Sequence, residues 1–197
     1  MNVPKPVVAG FVILAFALIG LNVALVKQDR KPGGLNKAYE ANLHLNVGAT
    51  VPPLSGASLT GSPATIEYES GQPMTLLLVF ARSCSNCTLN WPAWQKLLAK
   101  IDPTRARVIG ISLQNEGLTS QFLTQIGMTA IEMTLLPDAS SILSYRFRYT
   151  PQTILVGSDR KVEGIWSGVL NTRQISEIQQ AVLSPQPQSA TNNEAAQ

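Results

Sequence analysis

The sequence predicts an α/β fold in which helices flank a central mixed β-sheet, and three observations carry that prediction. Strand-like and helix-like stretches alternate between residues 47 and 183, the pattern of a sheet covered by helices. Two of the strand-like stretches, "MTLLLVFA" and "RVIGISL", are continuous apolar runs, as expected of strands buried on both faces. A late pair, "PQTILVG" and "KVEGIWSG", is joined by the turn "SDRK" and reads as a hairpin, which adds antiparallel pairing to the sheet.

Ahead of that region stands "VVAGFVILAFALIGLNVALV", Val7 to Val26, with no charge and one polar residue, Asn22. At ~1.5 Å per residue a helix of this length reaches about 30 Å, the thickness of a bilayer's hydrocarbon core. The apolar part of a secretory signal is shorter, roughly 7–15 residues, and ends at a cleavage site of small residues that "NVALV" supplies poorly. Residues 1–26 are therefore expected to be a short tail and a transmembrane anchor spanning 7–26. Lys5 and the α-amine precede the span, while Lys27, Arg30, Lys31 and Lys37 follow it. The positive-inside rule, taken alone, puts the main domain in the cytoplasm. Residues 27–46 read as a linker: "KQDRKPGG" is broken by Pro32, Gly33 and Gly34, and "LNKAYEANLHL" has the spacing of a short helix. At the other end, 184–197, "SPQPQSATNNEAAQ", has too few large apolar side chains to order itself and is expected to be a disordered tail.

Residues 47–183 form the expected domain. "ATIEYES" is a short strand after a turn at Gly61-Ser62-Pro63, and "MTLLLVFA" is the central strand. "TLNWPAWQKLLAKI" then carries apolar residues at helical spacing, followed by the buried strand "RVIGISL" and the amphipathic helix "LTSQFLTQIGM". "IEMTLLPD" is a third strand, "SSILSYRFRY" a helix, and the hairpin opens with Pro151. "NTRQISEIQQAVL" closes the domain as a helix that Asn171 or Thr172 can cap. With 45% hydrophobic residues in 197, the composition suits one globular domain plus end segments. The net charge of +3, part of it from Lys27, Arg30 and Lys31, and the lack of a Gly-rich phosphate loop or binding motif point away from nucleic acid.

Both cysteines lie in "FARSCSNCTLNWP", residues 80–92. Cys84 falls where a strand ends and a helix begins. Free backbone N–H groups and the positive end of the helix dipole stabilise a thiolate there. Cys87, one helical turn on, is close enough for a disulfide, so Cys84 is the expected attacking sulfur and Cys87 the resolving one. Zinc would need two further ligands, but the chain has no third cysteine and a single histidine, His44, read as an ordinary exposed or capping residue; no metal is expected. A purely structural disulfide across so short a loop restrains little. A non-catalytic pair stays open.

Together with these cysteines, "VGATVPPLSGASLTG", "LLLVFARSCSNC", Pro92, "LLPD" with Asp138, and "YTPQTILVGSDRKVEGIWSG" resemble the thioredoxin superfamily. Within it the chain is similar to membrane-anchored TlpA/ResA-like thiol–disulfide oxidoreductases with a redoxin (AhpC/TSA-like) domain, over about residues 47–183. The resemblance implies a thioredoxin-like fold without a cofactor. It implies that Thr150-Pro151 is a cis-proline element facing the cysteines, where Thr150 pairs with an extended partner segment, and that Pro92 kinks the motif helix. It also implies thiol–disulfide exchange with extracytoplasmic protein dithiols and disulfides, as a reductase in cytochrome c maturation, fed by an upstream membrane electron donor. That places the domain on the side opposite to the one the flanking Lys and Arg favour.

Departures from the family pattern sit at the proton carriers. The buried acid six residues before the first cysteine is Leu78, the glutamate three after the second is Asn90, and the tryptophan before the motif is Ser83. Asn90 can hydrogen-bond Cys87 but cannot take its proton. Glu116, just after a strand's carboxyl end, is a candidate relay or else an exposed loop residue, and Arg82 either supports the thiolate or is solvated. Glu67, Glu132 and Asp138 are read as structural. A peroxiredoxin-type site needs Pro-x-x-x-Thr-x-x-Cys; Leu77 and Ala81 before Cys84, and Phe80 and Cys84 before Cys87, do not supply it. The alternative to an enzyme is a thioredoxin-like peptide-binding module.

Overall fold

A computed structural model describes residues 19, 20, 22, 44–126, 131 and 133–184. The expected anchor over 7–26, the linker with its short helix, and the tail lie almost wholly outside the described residues, as does Glu132. Among the described residues, no helix is long and apolar enough to cross a membrane.

The chain forms β1 (Leu54–Ser58), β2 (Pro63–Ile66), β3 (Met74–Phe80), α1 (Ser85–Leu98), β4 (Ala106–Ser112) and α2 (Glu116–Ile126). There follow β5 (Met133–Pro137), α3 (Ala139–Tyr145), β6 (Gln152–Val156), β7 (Val162–Ser167) and α4 (Thr172–Leu183). The strands make one sheet in the order β2-β1-β5-β4-β3-β6-β7. β3, β4 and β5 are parallel, while β6 pairs antiparallel with both β3 and β7, and β1 with both β5 and β2. The expected mixed sheet is present.

All seven residues of β3 are buried, which explains why its sequence shows no alternation. The period of two survives in what each side chain meets. Leu76, Leu78 and Phe80 join Cys87, Trp94, Leu97, Ile178 and Val182 in one core, beside α1 and α4. Leu77 and Val79 face the other way, into a second core with Leu54, Ile109, Ile111, Tyr145, Phe147 and Ile154.

Three elements differ from the sequence-based expectation. β1, "LSGAS", has little strand propensity and was not expected as a strand. It forms because Gly56 lets the β5 backbone come close: a Cβ there would lie 2.1 Å from the Leu136 carbonyl oxygen. β2 is shorter than "ATIEYES" and begins at Pro63, a position at the sheet edge where a missing N–H costs no ladder bond. α3 stops at Tyr145, because Arg146 turns into the left-handed region at φ 53° and ends the helix.

The caps are as local chemistry dictates. Asp138 accepts from the Ser141 N–H at the head of α3 at 2.7 Å. At the head of α4 it is Asn171, not Thr172, that caps, in a reciprocal box with Gln174.

Gly56→Ala is expected to destabilise the domain by about 1–3 kcal/mol, the usual cost of overpacking a site whose neighbour is backbone. A urea unfolding midpoint equal to that of the unmodified protein would show that β1 can move away freely.

Candidate active site

β3 delivers the chain to the site. After Phe80 the ladder continues for one more bond, Leu113 N–H to the Phe80 carbonyl at 3.0 Å, and the strand then breaks into the loop Ala81–Ser83. Cys84 occupies the N-cap position of α1 in extended conformation, φ −93° and ψ 103°. Its carbonyl accepts from the Cys87 N–H at 3.0 Å. No acidic residue lies in the first turn and no side-chain hydrogen bond caps it, so no negative side chain competes with a thiolate for the positive end of the dipole.

The Thr150–Pro151 bond is cis, and it lies at the cysteines as the resemblance implied. The Cys84 thiol donates to the Thr150 carbonyl at 3.1 Å. Both cysteines are free thiols, Cys84 half-buried and Cys87 fully buried.

Their environments push them in opposite directions. Burial opposes ionisation of Cys84, but hydrogen bonds from the Cys87 thiol, the Thr150 side chain and the backbone N–H groups of Cys87 and Asn86 outweigh it, so its pKa lies below the ordinary value. Burial first, and the Cys84 sulfur second, push the Cys87 thiol up to about 12. Leu78 contributes to that burial. Where an acid would stand, it packs in the same apolar core as Cys87, Trp91 and Trp94.

The remaining expected site residues are placed differently. Asn90 does not bond Cys87. It lies on the same buried face of α1, but its Oδ1 accepts from the Leu170 N–H at 2.8 Å and its Nδ2 has no partner. Glu116 starts α2 with its carboxylate beside Gly61 in the β1–β2 turn, where a Cβ on Gly61 would meet its Oε1 at 3.2 Å. It does not act on either cysteine. Arg82 directs its guanidinium to Gln121 Oε1 at 2.8 Å, across to α2, and does not reach the thiol. His44 is exposed, and among the described residues no group of three or more His, Cys, Asp or Glu side chains gathers as metal ligands would.

One participant was missed by sequence reasoning. Gln114, just beyond β4, accepts from the Arg82 backbone N–H at 2.7 Å and donates to the Ser83 hydroxyl at 3.0 Å. It clamps the loop that carries Cys84. Its place at a strand's carboxyl end was the available signal, but a neutral amide does not attract attention as Glu116 does.

Residues 47–165, more than half of the chain, match the model of the AhpC/TSA family. No curated protein sequence matches the chain. Among solved structures it is similar to the thioredoxin domain of a thiol-disulfide oxidoreductase from Bacteroides vulgatus, with TM-score 0.56, 17% identity, and 70% of this chain and 99% of that one covered. StoA from Bacillus subtilis aligns with TM-score 0.52 and 17% identity, over 68% of this chain and 98% of that one. The peroxidoxin BcpB from Mycobacterium tuberculosis aligns with TM-score 0.55 and 20% identity, over 71% and 97%. These likenesses give the fold: it is thioredoxin-like.

In the reduced protein, iodoacetamide is expected to modify Cys84 with a half-maximal rate at a pH below the free-thiol value of about 8.5, because the thiolate is populated earlier. Below that midpoint the thiol form dominates and the rate falls. Cys87 should stay unmodified across the same range; mass spectrometry finding it labelled as fast as Cys84 at pH 7 contradicts the assignment.

Proposed function

The chain belongs to the AhpC/TSA family, and from that premise we propose that it is a thiol–disulfide oxidoreductase in which Cys84 attacks a partner's disulfide and Cys87 releases the product. The observation that carries the reading is the pairing of a half-buried, acidified thiol with a fully buried, suppressed one at the head of one helix, facing Thr150–Pro151. Such a pair has an order of events built in. Only Cys84 is both accessible and shifted toward the thiolate, so it is the sulfur that starts the exchange.

The Cys84 thiolate bonds to one partner sulfur, and the other leaves as a thiolate. Cys87 then gives up its proton and attacks the Cys84 sulfur. The products are a Cys84–Cys87 disulfide and a partner that has gained two electrons and carries two thiol groups once protonated. Forming the mixed disulfide removes the charge on Cys84, one of the influences that hold Cys87 protonated, so the resolving step becomes easier only after the attack. No carboxylate is among the groups that chiefly shift either thiol. The departing partner thiolate, with an ordinary value of about 8.5, or water takes the proton.

In this reading the partner docks as an extended segment against Thr150, and the domain works outside the cytoplasm on the anchor at 7–26. It passes electrons from a membrane donor to exported protein disulfides, cytochrome c apoproteins among them. The resemblance supports the direction and the compartment, and the length of Val7–Val26 supports the anchor. Absence of a carboxylate favours a second reading, a peptide-binding module with little turnover. A peroxidase, which the family name also invites, lacks the Pro-x-x-x-Thr-x-x-Cys pattern at both cysteines.

Reduction of insulin by dithiothreitol is expected to accelerate with the protein and to fall to background with Cys84→Ser; background turnover by the unmodified chain would leave the binding module. In intact cells a membrane-impermeant thiol reagent, applied after reduction, should label Cys84. No labelling would place the domain in the cytoplasm.

A further inference from the structure

We propose that Asn90 is a positioning residue: it locks the segment Gly168–Leu170 to α1, and through that segment it fixes the Thr150–Pro151 wall facing Cys84. The proposal rests on the reading of that wall as the place where a partner protein docks. Three hydrogen bonds carry it. Asn90 Oδ1 accepts from the Leu170 N–H at 2.8 Å, in a fully buried setting. The Gly168 N–H donates to the Pro151 carbonyl at 2.9 Å. The Thr150 carbonyl receives the Cys84 thiol at 3.1 Å. Together they close a circuit that leaves α1 one turn after Cys87, passes through the segment behind β7, and returns to the attacking sulfur. Gly168 makes the segment turn, at φ +84°, where a residue with a side chain is strained.

The amide at position 90 is otherwise unfavourable. Its Nδ2 is buried with no partner, a donor stranded in the core beside Trp91 and Trp94. A leucine fills similar space without that orphan, but it strips the Leu170 N–H of its acceptor. What asparagine supplies at this position is the lock. The lock reaches the thiolate only through Thr150, while the Cys87 thiol, the first of the groups that lower the Cys84 pKa, lies outside it. Asn90 therefore acts more on the docking of a large partner than on the reactivity of the sulfur.

The test compares Asn90→Leu, Asn90→Asp, which keeps an oxygen for the Leu170 N–H, and Ile109→Val, which perturbs the core on the other face of the sheet. Each is made in the full chain. Asn90→Leu is expected to raise KM for insulin about fivefold, the factor corresponding to one ordinary hydrogen bond, while the rate with a small aromatic disulfide falls by clearly less. Hydrogen exchange at the Gly168 amide, which Asn90 does not touch, should accelerate with it. Asn90→Asp should restore both, and Ile109→Val should move neither. An unchanged KM, an equal loss with both disulfides, or unchanged exchange at Gly168 overturns the proposal. If the unmodified protein reduces no insulin, the oxidoreductase reading falls, and Gly168 exchange alone then upholds or overturns the lock.

Discussion

β3 is paired along both edges at once, parallel with β4 on one side and antiparallel with β6 on the other, and the site follows from that arrangement. Val79 stands opposite Gln152, so the residues that follow Val79 and those that precede Gln152 share one end of the sheet. Cys84 comes from the first direction and Thr150–Pro151 from the second. A slip of one residue between β3 and β6 would turn Leu76, Leu78 and Phe80 out of their core, which is why the register is held so firmly. The meeting of a thiol and a carbonyl 66 positions apart in sequence is thus fixed by apolar burial, far below the site.

Burial also divides the labour between two chemically identical side chains. Three positions separate Cys84 from Cys87, yet one stands at the helix mouth and the other inside the core. No ion pair is needed to tell them apart. The same apolar core that takes the place of an acid at Leu78 raises the Cys87 value, and hydrogen bonds, first from the Cys87 thiol and then from Thr150, lower that of Cys84. The site works by differential solvation, with uncharged donors doing on one sulfur what a charged neighbour does elsewhere.

Much of this was legible in the sequence, for identifiable reasons. Long apolar runs announced β3 and β4, and the alternation of element types announced the layered fold. The position of Pro151 at the start of a strand, read with the family resemblance, placed it against the cysteines. What failed was of two kinds. β1 has no propensity signal because its strand character comes from a close backbone approach at Gly56, a tertiary fact. Asn90, Arg82 and Glu116 were candidates for the thiols, Arg82 and Glu116 beside solvated or exposed alternatives, because they lie near in sequence or near a strand end. Side-chain direction decides otherwise: Asn90 turns to Leu170, Arg82 to Gln121, and Glu116 to the turn at Gly61. Spacing along a helix or strand says which face a residue occupies, not which neighbour wins its hydrogen bond.

The clamp on the loop before Cys84 has a consequence of its own. Gln114 and Gln121, both uncharged, hold Arg82 and Ser83 through amide groups, and no carboxylate takes part. Contacts between opposite charges weaken as dissolved ions crowd around them, whereas amide contacts barely notice. The two bonds by which Gln114 holds the loop that aims the nucleophile, both between neutral groups, are therefore ones that fresh water and brine leave nearly equally tight.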